Sequence, residues 1–449
     1  MASFRNNLAA RLVADTYGLV TSLVAATITA RVLGPSGRGY YASLVLLSVL
    51  FVQVFNAGLG EAVIVRVGRG ETSLQRAVAA TMAAIFPLSL AGALVFVVVG
   101  WFSLRAVTAN EKTALVIGGL VVLFNTISTT LAWFLVSQQK IVLLAVLNIA
   151  SGTTTTVAIY ALVSGVHLQA SGAMIASGIG CAAILLPLVG ALRRDGISFK
   201  PAWAPDYLRA AVRFGAVVQL ANLLVQMTGR LDLILVYRIA GSAAAGRYSV
   251  ALTLGALVGS IPMAIAFTSF PVLPSVAQDE AQPYIAALFR IGVAASIACS
   301  LVLAALTPVL IPVVFGSPYR GAVAPSLLLL PGGVLWSGQW ILCRAAAARG
   351  APRSLFVSFS CSFVIMIALD ALLIAPFGIV GAAAASLVSS AVGFLLAILY
   401  YAQSGGALHA LVPRVGDAAK FVATVREMVG AVRSRGGAAP RADAPPVPR

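Results

Sequence analysis

Long apolar runs separated by short polar segments dominate the chain. Each run is about 20 residues or longer, the length that an α-helix needs to cross the hydrocarbon core of a membrane. Apolar residues are continuous within each run and do not alternate with polar ones, as they would in the strands of a membrane barrel. The pattern predicts twelve membrane-spanning helices, at about residues 8–33, 40–65, 77–103, 113–137, 141–164, 170–192, 213–239, 248–275, 288–315, 322–347, 354–376 and 379–402.

The composition is that of an integral membrane protein and excludes a soluble one. Of the 449 residues, 60% are hydrophobic and 10% are charged, whereas soluble domains carry about 25% charged residues. The 4 cysteines stand singly inside apolar runs and the 2 histidines lie in loops, so we expect no metal site. The sequence contains no phosphate-binding glycine loop and no zinc-protease motif. We therefore expect neither a cofactor nor a catalytic residue.

The distribution of charge predicts how the chain is oriented. The net charge is +17, and most of the Lys and Arg residues fall on the same side of the predicted membrane as the two termini. Because basic residues accumulate in cytoplasmic loops, both termini are expected in the cytoplasm, and no nucleic acid is needed to explain the charge. At about 413–433, apolar residues recur every three or four positions. This spacing predicts a basic amphipathic helix on the inner leaflet, followed by a disordered segment, although a helix that caps the bundle explains it equally well.

Two pairs of similar segments indicate an internal duplication. Residues 31–50 match residues 238–257, and residues 172–177 match residues 381–386. Both matches superpose spans one to six on spans seven to twelve in the same orientation, an arrangement that transporters use for alternating access. The predicted fold is all-α, with about twelve transmembrane helices in two pseudo-symmetric six-helix lobes around a central cavity. The expected divisions are a first lobe, a cytoplasmic linker, a second lobe and a basic tail, at residues 1–195, 196–212, 213–402 and 403–449.

Polar side chains form stripes along two corresponding spans. Inside a membrane such side chains face protein or a water-filled cavity, so a stripe marks the position of the cavity. At 100° per residue, the stripe of the first span falls within about 60° of one helix face and that of the seventh within about 80°. The stripes consist of Arg11, Asp15, Gly18, Ser22 and Thr29 in the first span, and of Gln219, Asn222, Gln226 and Arg230 in the seventh.

Arg230 is the leading candidate for binding an anion. It lies in the middle of a span, where a charge costs about 2.5–3.5 kcal/mol and is therefore a functional-site candidate. The second span adds Gln53 and Asn56 to the candidate cavity residues.

Three acidic residues are candidates for ion coupling, because buried carboxylates can exchange protons near neutral pH. They are Asp15, Glu61 and Asp232. For Arg11 and Asp15, an ion pair between residues four apart at the membrane interface is an equally good interpretation. Glu61 follows a segment whose two glycines favour a break in the second span.

Six short segments carry a family resemblance. They read RVLGPSGRGYY, NAGLGEA, GRLDLIL, GRYS, FGSPY and PFGIVGAA, at residues 31–41, 56–62, 229–235, 246–249, 315–319 and 376–383. Together they resemble the oligosaccharide flippases, the polysaccharide-export branch of the multidrug/oligosaccharidyl-lipid/polysaccharide exporter superfamily. The motifs are short and scattered over residues 5–402, and they say nothing about the identity of the sugar.

The resemblance implies a transporter of the bacterial inner membrane. Such a protein moves a polyprenyl-diphosphate-linked oligosaccharide from the inner to the outer leaflet by alternating access, driven by an ion gradient. Its expected partners are that lipid-linked glycan, membrane lipids, and a polysaccharide polymerase or export machinery. On this interpretation Arg230, with Arg11, meets the diphosphate, while the amides of Gln219, Asn222 and Gln226 meet sugar hydroxyls.

Two alternatives to the flippase stay open at this point. A drug/cation antiporter of the same superfamily would need an anionic cavity, whereas the stripe of the seventh span offers a cation and uncharged amides. A membrane glycosyltransferase or ligase would need a catalytic carboxylate or histidine on a large extracytoplasmic loop, and the predicted loops are short.

Overall fold

The computed structural model describes residues 2–104, 106–269, 273, 278–351 and 353–412, and contains no strand within these ranges. The twelve helices are α1 (Ala2–Asn56), α2 (Leu59–Gly68), α3 (Leu74–Leu104), α4 (Ala109–Ser137), α5 (Ile141–Ile159), α6 (Gln169–Arg194), α7 (Pro205–Thr228), α8 (Asp232–Ala240), α9 (Ser242–Ser269), α10 (Gln278–Leu310), α11 (Val323–Ala348) and α12 (Arg353–Gln403). Short helical turns also occur at Tyr160–Gly165, Ile311–Phe315, Ser317–Ala322 and Leu408–Leu411. The predicted tail helix at 413–433 lies outside the described residues.

Two of the helices are bent at a glycine, and each of these supplies two spans. Gly34 in α1 has φ 66° and ψ 179°, and Gly378 in α12 has φ 57° and ψ −135°; residues with a Cβ avoid these conformations. Gly241, the repeat partner of Gly34, joins α8 to α9 with φ 89° and ψ 171°. When both arms of α1 and α12 are counted, described helices lie at all twelve predicted positions, so the predicted fold class is confirmed.

The seventh span is interrupted, and the prediction of one continuous helix over 213–239 is wrong. The helix α7 ends at Thr228 and α8 begins at Asp232. In between, the backbone N–H groups of Arg230 and Leu231 both donate to the carbonyl of Met227, at 3.2 and 3.0 Å. This tightened turn places Arg230 at a break between two helices rather than inside one.

The outward surface of the bundle is apolar, as contact with lipid requires. Nine of the described helices are long and apolar enough to cross a membrane. On α3, every fourth side chain from Phe86 to Phe102 is exposed, between 53% and 72% of its surface. A continuous apolar stripe of this kind on a long helix faces hydrocarbon.

We refer to α1–α6 as the first half and to α7–α12 as the second half. Phe96 and Phe134 are fully buried in clusters of the first half, and Phe359 is fully buried in a cluster of the second. A separate cluster joins the halves, because Leu46 and Leu50 of α1 pack with Tyr248 of α9. The second arm of α1, residues 35–56, therefore lies at the seam between the halves, and Ala26 of the first arm also packs with the second half.

Two close approaches of backbone to backbone mark the ends of this seam. A Cβ built on Gly39 would overlap the carbonyl oxygen of Ser242, and one built on Gly246 would overlap that of Pro35. At the other end, a Cβ on Gly58 would overlap the backbone of Gly215. We call these the Gly39 end and the Gly58 end; glycine allows the two halves to touch at both.

Candidate substrate-binding site

Arg230 is accessible at the break in the seventh span. Its side chain is exposed, between the end of α7 at Thr228 and the start of α8 at Asp232. A charged side chain within a membrane span is costly unless it meets protein, water or a polar ligand, so its accessibility makes it a candidate ligand contact.

Three accessible polar side chains follow one another along this face of α7. Asn222 and Gln226 are half-buried and Arg230 is exposed. None of the three side chains makes a hydrogen bond or a contact ion pair with the described part of the chain, although Arg230 lies within electrostatic range of Asp232. Two amides and one guanidinium are therefore accessible along this stretch; their role in binding a ligand stays a prediction.

Gln219 and Gln53, two further predicted residues, bond to each other across the seam. The side-chain amide of Gln219 donates to the backbone carbonyl of Gln53 at 2.5 Å and to its side-chain oxygen at 3.0 Å. Gln219 is only 5% exposed. This pair ties α7 to α1 in the observed conformation and lies next to the accessible stripe.

The remaining predicted residues are distributed between buried and open positions. Asn56 is buried and donates to Thr130 of α4 at 3.0 Å. Thr29 is buried and donates to the carbonyl of Ala25 in its own helix at 2.8 Å. Ser22 is exposed on the same arm of α1. Thus the stripe of the first span is open at Ser22 and closed at Thr29.

The predicted coupling residues differ in their surroundings. Asp15 is exposed on α1. Glu61 lies in the first turn of α2, and one of its carboxylate oxygens is buried without a hydrogen-bond partner among the described residues. The side chain of Arg11 lies outside the described part of the structure.

Asp232 is fully buried and receives three hydrogen bonds. Its Oδ2 accepts from the hydroxyls of Tyr248 and Ser386, the latter at 2.8 Å, and its Oδ1 accepts from the backbone N–H of Leu233 at 2.8 Å. These donors come from α8, α9 and α12. These hydrogen bonds offset part of the cost of burying a carboxylate.

The first half contains the same hydroxyl pair without the carboxylate. Tyr41 and Ser177, the repeat partners of Tyr248 and Ser386, lie 3.3 Å apart through their hydroxyl oxygens. Ala25 occupies the position that corresponds to Asp232. The two halves therefore differ at this position, where only the second half has a carboxylate between its hydroxyls.

Asp370, which sequence reasoning missed, lies beside Asp232. It is fully buried in α12, and neither of its carboxylate oxygens has a hydrogen-bond partner among the described residues. The charges of Asp370 and Asp232 are near enough to interact. The only signal in the sequence was an acidic residue within an apolar run, which does not reveal its neighbour.

Arg38 is a second arginine that sequence reasoning passed over. It is only 7% exposed. Its Nε donates to the hydroxyl of Ser249 in α9 at 3.2 Å, and an Nη group donates to the hydroxyl of Thr29. Both partners are neutral, so this guanidinium bridges the halves at the Gly39 end without forming an ion pair with any described residue.

The comparison with protein families decides the class of the chain. The model of a family described as polysaccharide biosynthesis protein matches residues 4–277, which is more than half of the sequence and includes the second arm of α1, Gln219 and Arg230. The chain belongs to the polysaccharide biosynthesis protein family. A comparison with curated proteins found no match.

Solved structures share the fold of this family member. An inward-facing multidrug resistance MATE family transporter of the MOP superfamily superposes with a TM-score of 0.71 at 12% identity, over 88% of this chain and 99% of the other. The lipid II flippase MurJ, in an inward closed conformation, gives a TM-score of 0.71 at 13% identity, over 94% and 92%. An outward-facing MATE transporter gives 0.62 at 10% identity, over 90% and 97%. At these identities the likeness establishes the fold.

Proposed function

We propose that this member of the polysaccharide biosynthesis family flips a polyprenyl-diphosphate-linked oligosaccharide across the membrane by alternating access. The observation that carries the proposal is Arg230, an accessible cation at the break of the seventh span whose side chain bonds to no described residue. A diphosphate cannot enter hydrocarbon unaided, and a guanidinium binds its oxygens through charge-assisted hydrogen bonds. Arg11, on the corresponding stripe of α1, is a further contact of the diphosphate in this proposal.

The other side chains of the site suit the rest of such a substrate. The amides of Asn222 and Gln226 are half-buried without partners and can exchange hydrogen bonds with sugar hydroxyls, as can the hydroxyl of exposed Ser22. The prenyl tail stays in lipid at an opening between the halves. Gln53, Asn56, Thr29 and Gln219 take part in the packing that changes when the halves move, and reach the substrate in the proposal only after that movement.

We further propose that an ion gradient drives the cycle through the second half. Asp232 and Asp370 are buried carboxylates within range of each other's charge. Two like charges in a medium of low dielectric repel strongly, and a bound cation or a proton removes the repulsion. Since Asp232 is bonded to α8, α9 and α12, a change in its charge is felt by three helices at once. Asp15 and Glu61 are additional candidates.

A drug/cation antiporter is the second candidate of the same fold. It is favoured by the carboxylate pair, and by the shared fold with MATE transporters. The accessible stripe argues against it, because its exposed Arg230 repels cations while Asp232 and Asp370 are fully buried. A glycosyltransferase or ligase has no support from the family or from its structural neighbours, and we propose that the chain is not an enzyme.

The proposed setting is the inner membrane of a bacterium, with both termini in the cytoplasm. The excess of basic residues on the side of the termini supports this orientation. Polysaccharide polymerase or export machinery would act on the glycan once it reaches the outer leaflet. The proposed organisation is two lobes at 1–195 and 213–402, with the basic tail at 403–449.

The deciding experiment is export of surface polysaccharide in a strain that lacks the chain and carries Arg230→Ala. We expect accumulation of inward-facing lipid-linked glycan and no surface polymer, with partial recovery in Arg230→Lys. Arg213→Ala, which replaces an exposed arginine within α7, is the matched control and should export normally. Normal export by Arg230→Ala, at equal protein level, would refute the proposal.

A further inference from the structure

A cavity of about 610 Å³ opens on the surface of the bundle where α3 and α4 of the first half meet the end of α8. Among the described residues its walls contain aromatic, aliphatic and basic side chains and no acidic one: Trp101, Phe102, Ala106, Val107, Lys112 and Arg238. The hydroxyl of Tyr40, the neighbour of Gly39, donates to the backbone carbonyl of Glu111 at 2.8 Å. The cavity therefore lies at the Gly39 end, where the two halves touch.

The exposed apolar stripe of α3 ends at this cavity. Phe102, the last side chain of the stripe, comes 16 residues after Phe86, a rise of about 24 Å at about 1.5 Å per residue. The hydrocarbon core of a membrane is about 30 Å thick, so the stripe covers most of one crossing. Trp101 is 50% exposed and Val107 is 79% exposed, and tryptophan is enriched where hydrocarbon meets water. The cavity therefore lies at the level of the lipid headgroups.

Two cations in the cavity have donors that no described acceptor uses. The ammonium of Lys112 lies 5.6 Å from the ring centroid of Trp101, and the side chain is exposed. Arg238 donates to the carbonyls of Phe102 and Ser103 through one Nη atom, while its Nε and its other Nη make no hydrogen bond to a described residue. The ion pairs between described residues include neither cation. An ammonium and a guanidinium in one cavity attract a phosphate group.

The nearest carboxylate along the chain, that of Glu111, is engaged elsewhere. Its Oε2 accepts from the backbone N–H groups of Val107 and Thr108, at 2.9 and 3.0 Å. The hydroxyl of Thr108 in turn accepts from the backbone N–H of Glu111, which completes a capping box at the start of α4. Glu111 is not among the residues that line the cavity. Its carboxylate therefore fixes the backbone of the cavity wall and leaves the two cations for another anion.

We propose that this cavity binds the phosphate of an anionic phospholipid, of the phosphatidylglycerol type, from the leaflet at the Gly39 end. The phosphate meets Lys112 and Arg238, and the acyl chains continue along the exposed stripe of α3. A zwitterionic headgroup would bring an additional cation beside the two basic side chains, and free phosphate would leave the apolar walls uncovered. Because Lys112 belongs to the first half and Arg238 to the second, the bound lipid joins the halves at this end.

The test measures binding of short-chain lipids to the purified full-length chain in dodecyl maltoside micelles. Dihexanoyl-phosphatidylglycerol is the probe, with dihexanoyl-phosphatidylcholine as the zwitterionic lipid and inorganic phosphate as the anion without chains. Binding is followed by the rise in melting temperature as each probe is added. We expect a saturable rise with dihexanoyl-phosphatidylglycerol, and half-saturation of the other two at concentrations about tenfold higher, because each lacks one of the recognised features.

Two variants and a matched control locate the binding site. Lys112→Gln should raise the half-saturating concentration of dihexanoyl-phosphatidylglycerol about tenfold, since it removes a charged donor. Arg238→Gln should do the same, and the rise is measured from its own ligand-free melting temperature because its contact with α3 is also lost. Arg320→Gln is the control. It removes an exposed arginine that does not line the cavity, and it should bind like the wild type.

Four results would overturn the inference. Unchanged half-saturation in both Lys112→Gln and Arg238→Gln would show that the lipid binds elsewhere. Equal half-saturation by dihexanoyl-phosphatidylcholine would show that the charge of the headgroup does not matter, and equal half-saturation by inorganic phosphate would assign the cavity to a free anion. Farnesyl diphosphate acting at a lower concentration than dihexanoyl-phosphatidylglycerol, through the same two residues, would assign the cavity to a prenyl diphosphate instead.

Discussion

Arg31 and Arg238 make the same contact on opposite halves of the protein. Arg31, near the bend of α1, donates to backbone carbonyls at residues 313–314, at 2.5 and 2.8 Å. Arg238, near the end of α8, donates to backbone carbonyls at residues 102–103, at 2.7 and 3.2 Å. Each arginine thus binds the C-terminal carbonyls of a span in the other half, where unpaired carbonyls and the negative end of the helix dipole favour a cation.

The symmetry of these contacts predicts matched effects of mutation. Arg31→Ala and Arg238→Ala should each lower the stability of the protein by about 1 kcal/mol, because each removes hydrogen bonds from a charged donor. The double variant should show the sum, since the two sites share no partner. Thermal unfolding in nanodiscs measures these losses of stability. The control is Arg320→Ala, because the side chain of Arg320 is exposed and bonds to no described residue. A large effect of one variant and none of the other would contradict the symmetric arrangement.

Closure of the Gly39 end depends on the absence of a side chain there. Gly39→Ala places a Cβ on the backbone of α9, and backbone cannot rotate out of the way. We expect the halves to separate at this end, with loss of export. Spin labels at Ser36→Cys and Ala240→Cys, both exposed positions, would report a longer distance once the 4 native cysteines are replaced. A Cβ added at Gly18 would have no neighbouring atom within 4 Å, so Gly18→Ala is the control and should keep the wild-type distance between the labels. An unchanged distance in Gly39→Ala would show that the seam tolerates a side chain at this position.

The hydroxyl pair of the second half donates to a carboxylate, whereas that of the first half does not. We therefore expect serine-to-alanine variants of the two pairs to differ in their loss of stability. Ser386→Ala removes one of the hydrogen bonds of a buried carboxylate and should cost about 1.5–3 kcal/mol. Ser177→Ala, at the matching position, loses a 3.3 Å hydroxyl contact with Tyr41 and a 3.0 Å hydrogen bond to the carbonyl of Ala173. Because both of these partners are neutral, it should cost less, about 0.5–1.5 kcal/mol. Asp232→Asn replaces one carboxylate oxygen by an NH2 group, which cannot accept a hydrogen bond from the surrounding donors. It also removes the negative charge, so it should abolish ion-dependent transport. Equal melting temperatures for the two serine variants would argue against a charged Asp232.

The buried position of Arg38 predicts that two variants have opposite effects on closure of the Gly39 end. Ser249→Ala removes a neutral acceptor and leaves the buried guanidinium less satisfied, so the closed state should weaken. Arg38→Met removes the buried charge and its desolvation cost, and replacing such a group by an apolar one is often neutral or stabilising. The same spin-label distance measures both. If the two variants open this end equally, the guanidinium stabilises closure by its charge, and our interpretation fails.

The stripe of the seventh span shows how far helical spacing can be trusted. Angles of 100° per residue placed Gln219, Asn222, Gln226 and Arg230 on one face, and the structure has Asn222, Gln226 and Arg230 accessible as expected. Gln219 shares the face but is closed off by Gln53. The helix itself breaks before Arg230, because the apolar character of a segment indicates that it crosses the membrane and not that it does so as one helix.

Trp336 and Trp340 on α11 show a property that the spacing of residues in the sequence does not reveal. Tryptophans four residues apart in an apolar run are typical of packing, and nothing in the sequence indicates that their N–H groups lack acceptors. The same holds for Asp370, whose neighbour Asp232 is distant in the chain. An unpaired polar atom is a property of the surroundings, and these become known only when all neighbouring helices are in place.

The sequence alone determined where the apolar spans lie and indicated the duplication of six of them. The spans are a local property, because hydrocarbon forces each segment to satisfy its own backbone hydrogen bonds. Only the tertiary structure decided which polar groups are bonded and which are accessible, as for Arg31 with the carbonyl of Val314 and Arg38 with the hydroxyl of Ser249. These pairs join residues far apart in the chain and in different halves, so they depend on how the two halves close against each other.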